Sequence, residues 1–247
     1  MAISTNPLAW LRSVQPRRAI ALLLLLLPLT VGAQTVRDLW LSMPPSLAPY
    51  LNTSLRTQCL DFYDMHTDAQ TDNALKGKSR IDTLTSTFLA ATLSKAHTLQ
   101  MKLLPASGSG LGAASASASG SGSSMVSGSV SSSSLSSCDS VLCVVRSWDG
   151  PKRDSEVQLF DRQWKPLQAP LTFSADSFVC RPDTMSEERF SRLVAMLDPI
   201  MFSVSLSPVE NVLLVKLSPV VPNPEDEKAI EQILVQRKLK WDGKTFK

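Results

Sequence analysis

Apolar and polar residues along this chain recur with two periods, and the two periods separate helices from strands. Val36, Leu39, Trp40 and Met43 keep helical spacing until Pro44-Pro45, and Leu55, Cys59, Phe62, Tyr63 and His66 predict a second helix. Beyond Gly77 the period falls to two. Extended runs are predicted at Arg80 to Leu84, Thr87 to Leu93 and His97 to Leu104, then at Val141 to Trp148 and Glu156 to Phe160 across the turn Asp149-Gly150-Pro151. Thr184-Met185-Ser186-Glu187 fits a capping box, after which Phe190, Leu193, Val194 and Leu197 form one apolar stripe that Asp198-Pro199 ends. Ile200, Phe202, Val204 and Leu206 alternate with Met201, Ser203, Ser205 and Ser207, which predicts a strand with one wet face. Val212 to Leu217 is a further strand. Asn223, Pro224 and the acids Glu225, Asp226 and Glu227 start another helix, and Leu239 to Trp241, Asp242-Gly243 and Thr245-Phe246 predict a last hairpin.

Runs of antiparallel strands with helices grouped between them argue for an α+β fold, mainly antiparallel sheet with several short helices. Each half reads as helix followed by hairpins, and each contains Trp-Asp-Gly, at 148–150 and 241–243. This is a faint sign of a pseudo-repeat of two helix-plus-hairpin halves.

Two stretches do not look like core. Arg17 and Arg18 precede Ala19 to Leu29, and Val31-Gly32-Ala33 supplies small residues, the order of a secretory signal with cleavage after Ala33. A spanning helix needs about 20 apolar residues, whereas Arg18 and Gln34 bound a shorter run that contains Pro28. No transmembrane segment is expected in the mature chain. From Ala106 to Asp139 the sequence is 16 Ser, 6 Gly and 5 Ala in 34 residues, the composition of a flexible coil. Strand-like runs flank it on both sides, so it reads as an insertion at 106–139 in a hairpin loop of a single domain, 34–247. Lengthening such a loop from about 4 to about 34 residues costs only about 2 kcal/mol.

Charge changes the picture once the signal is set aside. The formal +3 comes from Arg12, Arg17 and Arg18, and from Gln34 onward bases and acids balance. No overall basic surplus points to nucleic acid as a partner. Of the two histidines, His97 beside Lys95 reads as a solvated turn residue. His66 lies among Asp61, Asp64 and Asp68, but about 200° around a helix from Asp64, so the four do not converge and no metal site is expected. No Gly-x-Ser-x-Gly elbow, phosphate loop or dinucleotide fingerprint occurs, so no cofactor is expected and no catalytic residue is assigned. Glu187-Glu188 and Glu225-Asp226-Glu227 sit in first helical turns, where the dipole accounts for them.

Cys59, Cys138, Cys143 and Cys180 allow up to two disulfides in three connectivities, while the apolar positions of Cys59 and Cys143 favour buried thiols. The balance tilts toward no obligatory bridge. Trp40 is expected in the core. Trp148, Trp164 and Trp241 lie near strand ends and are candidates either for a binding surface or for roofing the sheet.

Val36 to Pro44, Pro49-Tyr50-Leu51, Leu159 to Leu167 and Trp241-Asp242-Gly243-Lys244 resemble an uncharacterised family of exported proteins found in Bacteroidetes, a domain-of-unknown-function family. The Ser/Gly insertion departs from the family's pattern. The resemblance implies a periplasmic or cell-surface location and brings no activity, cofactor or site residue with it. It also implies O-glycosylation at Asp followed by Ser or Thr and an apolar residue. Asp82-Thr83-Leu84, Asp139-Ser140-Val141 and Asp183-Thr184-Met185 fit, with Ser140 at the end of the coil expected to be the most accessible. Two functions compete. One is a non-catalytic binding or scaffolding module of the cell envelope with a protein or glycan partner. The other is a hydrolase acting on cell-wall or glycan material, whose paired carboxylates would meet only in space.

Overall fold

Thr35 opens the first helix, α1 (Val36–Ser42), as the sequence pattern requires. Its backbone N–H donates to Asp38 Oδ2 at 2.8 Å while its hydroxyl accepts from the Asp38 amide, a reciprocal cap that satisfies two otherwise orphaned donors. Asn52 caps α2 (Thr53–Asp64) by accepting from Leu55 N at 2.9 Å. The helices lock together through Trp40, fully buried, whose indole N–H donates to the Arg56 carbonyl at 3.0 Å. Arg56 is itself only 3% exposed and donates to Met43 O and Thr53 Oγ1. These coordinates are a computed structural model and describe residues 34–106, 140–168, 170–221 and 223–247. The expected signal at 1–33, and residues 107–139 of the Ser/Gly/Ala stretch with Cys138, lie outside the described residues.

Six strands follow as an antiparallel meander in chain order: β1 (Thr71–Asp72), β2 (Lys78–Leu84), β3 (Phe88–Ser94), β4 (His97–Pro105), β5 (Ser140–Asp149) and β6 (Arg153–Phe160). The β1–β2 turn is organised by Asn73, whose Oδ1 accepts from Leu75 N and Gly77 N at 3.0 Å each. A Cβ at Gly77 would stand 3.2 Å from Asn73 Nδ2, so glycine keeps that turn tight. β4 and β5 are direct neighbours, with Pro105 opposite Ser140.

Alternation on β4 and β5 explains why both read as nearly unbroken apolar runs. Leu99, Met101, Leu142 and Val144 face α1 and α2, while Leu104, Val141, Cys143 and Val145 face the other way into a second core. A sheet covered on both faces needs apolar residues on both.

The second core is closed by a three-stranded antiparallel sheet of β7 (Phe202–Leu206), β8 (Val212–Leu217) and β9 (Arg237–Lys240), in that order, with α3 (Glu187–Ala195) and α4 (Pro224–Glu231). Val204, Leu206, Leu213 and Val215 point into it. Asn223 caps α4 with Pro224 at its first position, as the sequence pattern requires. α3 starts later than its pattern suggests. Ser186 is the cap, accepting from Arg189 N at 3.3 Å, and Thr184 stays exposed in a turn closed by Met185 N to Pro182 O at 2.9 Å. β7 likewise begins at Phe202, which leaves Ile200 53% exposed rather than inward. The two halves build unequal sheets, six strands against three, and share no common strand order.

Candidate functional site

The β4–β5 register sets His97 directly opposite Trp148. Their rings stack with centroids 5.2 Å apart and planes 9° from parallel. Trp148 remains 39% exposed while His97 beneath it is 7% exposed, so the histidine expected in a solvated turn is a buried support. Arg146, on the same face of β5, holds its guanidinium 5.4 Å from the Trp148 ring centre and pairs with Glu156 at 2.6 Å, its partner across β6. Tyr50 reaches in from the loop between α1 and α2. Its hydroxyl contacts His97 Nδ1, its ring meets the imidazole edge-on at 5.9 Å, and its carbonyl accepts from Ala74 N at 3.1 Å. In a meander the β1–β2, β3–β4 and β5–β6 turns fall at one end of the sheet, so Leu75, 66% exposed, and Trp148 share that end.

Burial dominates the electrostatics here. Desolvation, with help from the Arg146 charge, pushes His97 down to about 4, and desolvation pushes the Tyr50 phenol up to about 12 against the pull of Arg146. Both groups are uncharged near neutrality. His97 Nε2 is buried without a hydrogen-bond partner among the described residues, and the imidazole serves as a neutral plate behind the indole.

The other tryptophans do not join this surface. Trp164 is 8% exposed in the core beneath α1, its indole N–H donating to Ser42 Oγ at 3.3 Å and its ring 5.4 Å from Phe160. Trp241 packs on the opposite core, 5.0 Å from Phe246, and donates to the Pro105 carbonyl at 2.7 Å. Both roof a sheet. Ser140, expected to be accessible, is the first residue of β5, 8% exposed, and its Oγ accepts from Arg162 Nε at 2.8 Å. Strand pairing against Pro105 draws it in, and of the three Asp-Ser/Thr matches Thr184 is the exposed one.

His66 lies just past α2 in a left-handed conformation, φ 52°, beside a cavity of about 460 Å³ that Tyr63, Asp68, Arg80 and Asp82 also line. The Asp82 carboxylate there is taken up by Arg80 Nε and Thr92 Oγ1, each at 2.7 Å, and Asp64 is paired with Arg37. Among the described residues no three His, Cys, Asp or Glu side chains group as a metal site. Glu227 pairs with Lys152 and Glu187 with Arg181 at 3.3 Å, so these two first-turn acids anchor their helices to neighbouring segments. Cys59 and Cys143 are buried free thiols and Cys180 an exposed one. Among the described residues no helix is long and apolar enough to cross a membrane.

A family described as "Protein of unknown function (DUF3256)" matches residues 28–111 and 127–246, and the chain belongs to that family. Among solved structures, a domain of an uncharacterized protein from Porphyromonas gingivalis W83 has the same fold. Its TM-score is 0.58 at 22% identity, over 86% of this chain and 98% of that one. No curated protein matches significantly. The family and the neighbour agree with the resemblance drawn from the sequence motifs and assign no activity.

Proposed function

We propose that this chain is an exported protein of the cell envelope that works as a non-catalytic binding module, with Trp148 as its contact anchor. The observation that carries the proposal is an exposed indole stacked on a buried histidine that Tyr50 contacts in turn, an arrangement that restricts the ring's rotamers. An aromatic ring whose rotamer freedom is already lost binds with less entropic cost, and Trp and Arg dominate the energetics of interface centres. Arg146 and Glu156 add a polar rim within reach of the same ring. The proposed export rests on Arg17-Arg18 followed by Ala19 to Leu29.

Co-sedimentation with envelope material isolated from the native cell tests the binding, with the glycan fraction and the protein-depleted fraction assayed separately. Trp148→Ala is expected to weaken retention by about tenfold or more, the loss of a central aromatic anchor, while Trp241→Phe leaves it unchanged. Equal retention of Trp148→Ala and wild type would overturn the proposal, as would release of new reducing ends from the glycan fraction. Intact mass of the native protein beginning at Gln34 would support export, and a retained Met1 would count against it.

A further inference from the structure

One face of the β7–β8–β9 sheet closes the second core, and the opposite face carries a segregated positive charge. Ser203, Ser205, Leu214, Lys216, Lys238 and Lys240 project from it, because each alternates with a core residue on its own strand. The register arranges them in rows across the sheet: Ser203 beside Lys216, Ser205 beside Leu214 and Lys238, and Val212 beside Lys240. All three lysines are exposed and the two serines half-buried. No aspartate or glutamate occurs in any of the three strands, although from Gln34 onward the chain carries as many acids as bases. Glu210 in the β7–β8 turn pairs with Lys238 at 2.5 Å. Its carboxyl is held below the ordinary range by that hydrogen bond first and by the charges of Lys238, Lys240 and Lys102 besides. Lys216 also lines a groove of about 300 Å³ with Leu217, Ile230 and Leu234, where Glu227 is paired with Lys152 and Glu231 stands beside them, so the positive face ends at this groove.

We propose that this face binds an extended anionic polysaccharide, a chain of sugars bearing carboxylates, with Lys216, Lys238 and Lys240 meeting the charges and Ser203 and Ser205 meeting hydroxyl groups. Charge complementarity selects the partner's sign. Single-stranded nucleic acid is disfavoured because its binding sites offer aromatic platforms for base stacking, and the projecting side chains here are serine, leucine, valine and lysine. A lipid surface is disfavoured because interfacial docking needs protruding apolar side chains, whereas Val212 is 5% exposed and Leu214 half-buried between the lysines. The face shares no residue with the Trp148 site, so either proposal stands or falls without the other.

Titration of the purified protein with polygalacturonate, with dextran as the neutral control, tests it. Binding is expected at low ionic strength, weakening with added salt, with none to dextran. The triple variant Lys216→Gln, Lys238→Gln, Lys240→Gln should lose about tenfold or more, the matching triple Lys→Arg variant should retain binding, and Thr184→Ala, at an exposed position outside the face, should bind as wild type does. The substitutions are all at exposed positions, and a thermal melt of each variant separates lost binding from lost fold. Binding by the Gln variant equal to wild type would overturn the proposal. So would no binding of polygalacturonate by wild type at low salt, or tighter binding to phosphatidylglycerol vesicles or to a single-stranded oligonucleotide.

Discussion

Gln100 Oε1 accepts a hydrogen bond from the backbone N–H of Leu206 at 2.8 Å, tying the middle of β4 to the end of β7. The same device recurs along β7, where Val204 N donates to Ser155 Oγ at 3.1 Å and Phe202 N to Asp154 Oδ1 at 3.3 Å. β7 is an edge strand, and an edge leaves every second N–H without a ladder partner. Side chains of the large sheet supply the missing acceptors, so the small sheet docks through its own backbone as well as through the core.

Gln100→Leu keeps the volume and removes the acceptor. With Leu206 only 3% exposed, its N–H would be left buried and unpaired, at a cost of about 1–3 kcal/mol. A urea melt should show that loss. Amide exchange at Leu206 should accelerate while exchange at Leu99 on the far side of the sheet does not.

Lys102 makes the second clamp between the sheets. Its side chain is 2% exposed and its Nζ donates to the carbonyls of Ser207 and Glu210, each at 2.7 Å. Lys102→Met deletes two charge-assisted bonds but also removes a desolvated ammonium, which offsets part of the loss. The net expectation is destabilisation by about 1–2 kcal/mol, with increased amide exchange confined to the β7–β8 turn. An unchanged melt with an unchanged turn would show that the carbonyls find water instead.

Much of this architecture was legible from period and turn chemistry. Val36, Leu39, Trp40 and Met43 mark α1, and the Asn223-Pro224 start of α4 and the strands that follow Gly77 fall where their residue types require, whereas the two-residue β1 before Gly77 is too short to show a period. The site was not legible, for a physical reason. Pairing His97 with Trp148 requires the β4–β5 register, and register is set by the connecting turn or by the pattern of one wet face. The residues between Pro105 and Ser140 carry no turn signal, and both faces of these strands are apolar. The cap at Ser186 was missed because Thr184 and Ser186 are chemically alike, and only the turn from Pro182 decides between them. Trp164 at a strand end could face either way until its φ of 65° turned it under α1.

His97 predicts a loss of stability in acid. Its folded-state value of about 4 lies below the ordinary 6.5, so between those values the unfolded chain binds the proton that the folded one excludes. Stability is therefore complete above pH 6.5 and falls as the pH drops toward 4, on the order of 2 kcal/mol from this group. Arg146, facing the imidazole, opposes its protonation further, and Tyr50 offers no charge to compensate. His97→Phe should flatten the dependence of the urea midpoint between pH 4.5 and 7, though it is less stable than wild type at pH 7 because the Tyr50 hydroxyl loses its partner.

The cysteines give a prediction about covalent structure. Cys59 belongs to the core beneath α1 and α2, and Cys143 projects into the core on the opposite side of the large sheet. A bridge needs Cβ atoms that face each other, so the pleat excludes a Cys59–Cys143 disulfide, and both are free thiols. Burial raises both thiols above their ordinary value, Cys143 the more strongly, and this withholds the reactive thiolate. Cys180 is exposed. Brief treatment of native protein with a thiol-reactive disulfide reagent, followed by peptide mapping, should therefore modify Cys180 and spare Cys59 and Cys143, with both released only in denaturant. Native-state modification of Cys143 would mean that the two sheets separate readily, and would count against the clamps made by Gln100 and Lys102 as well.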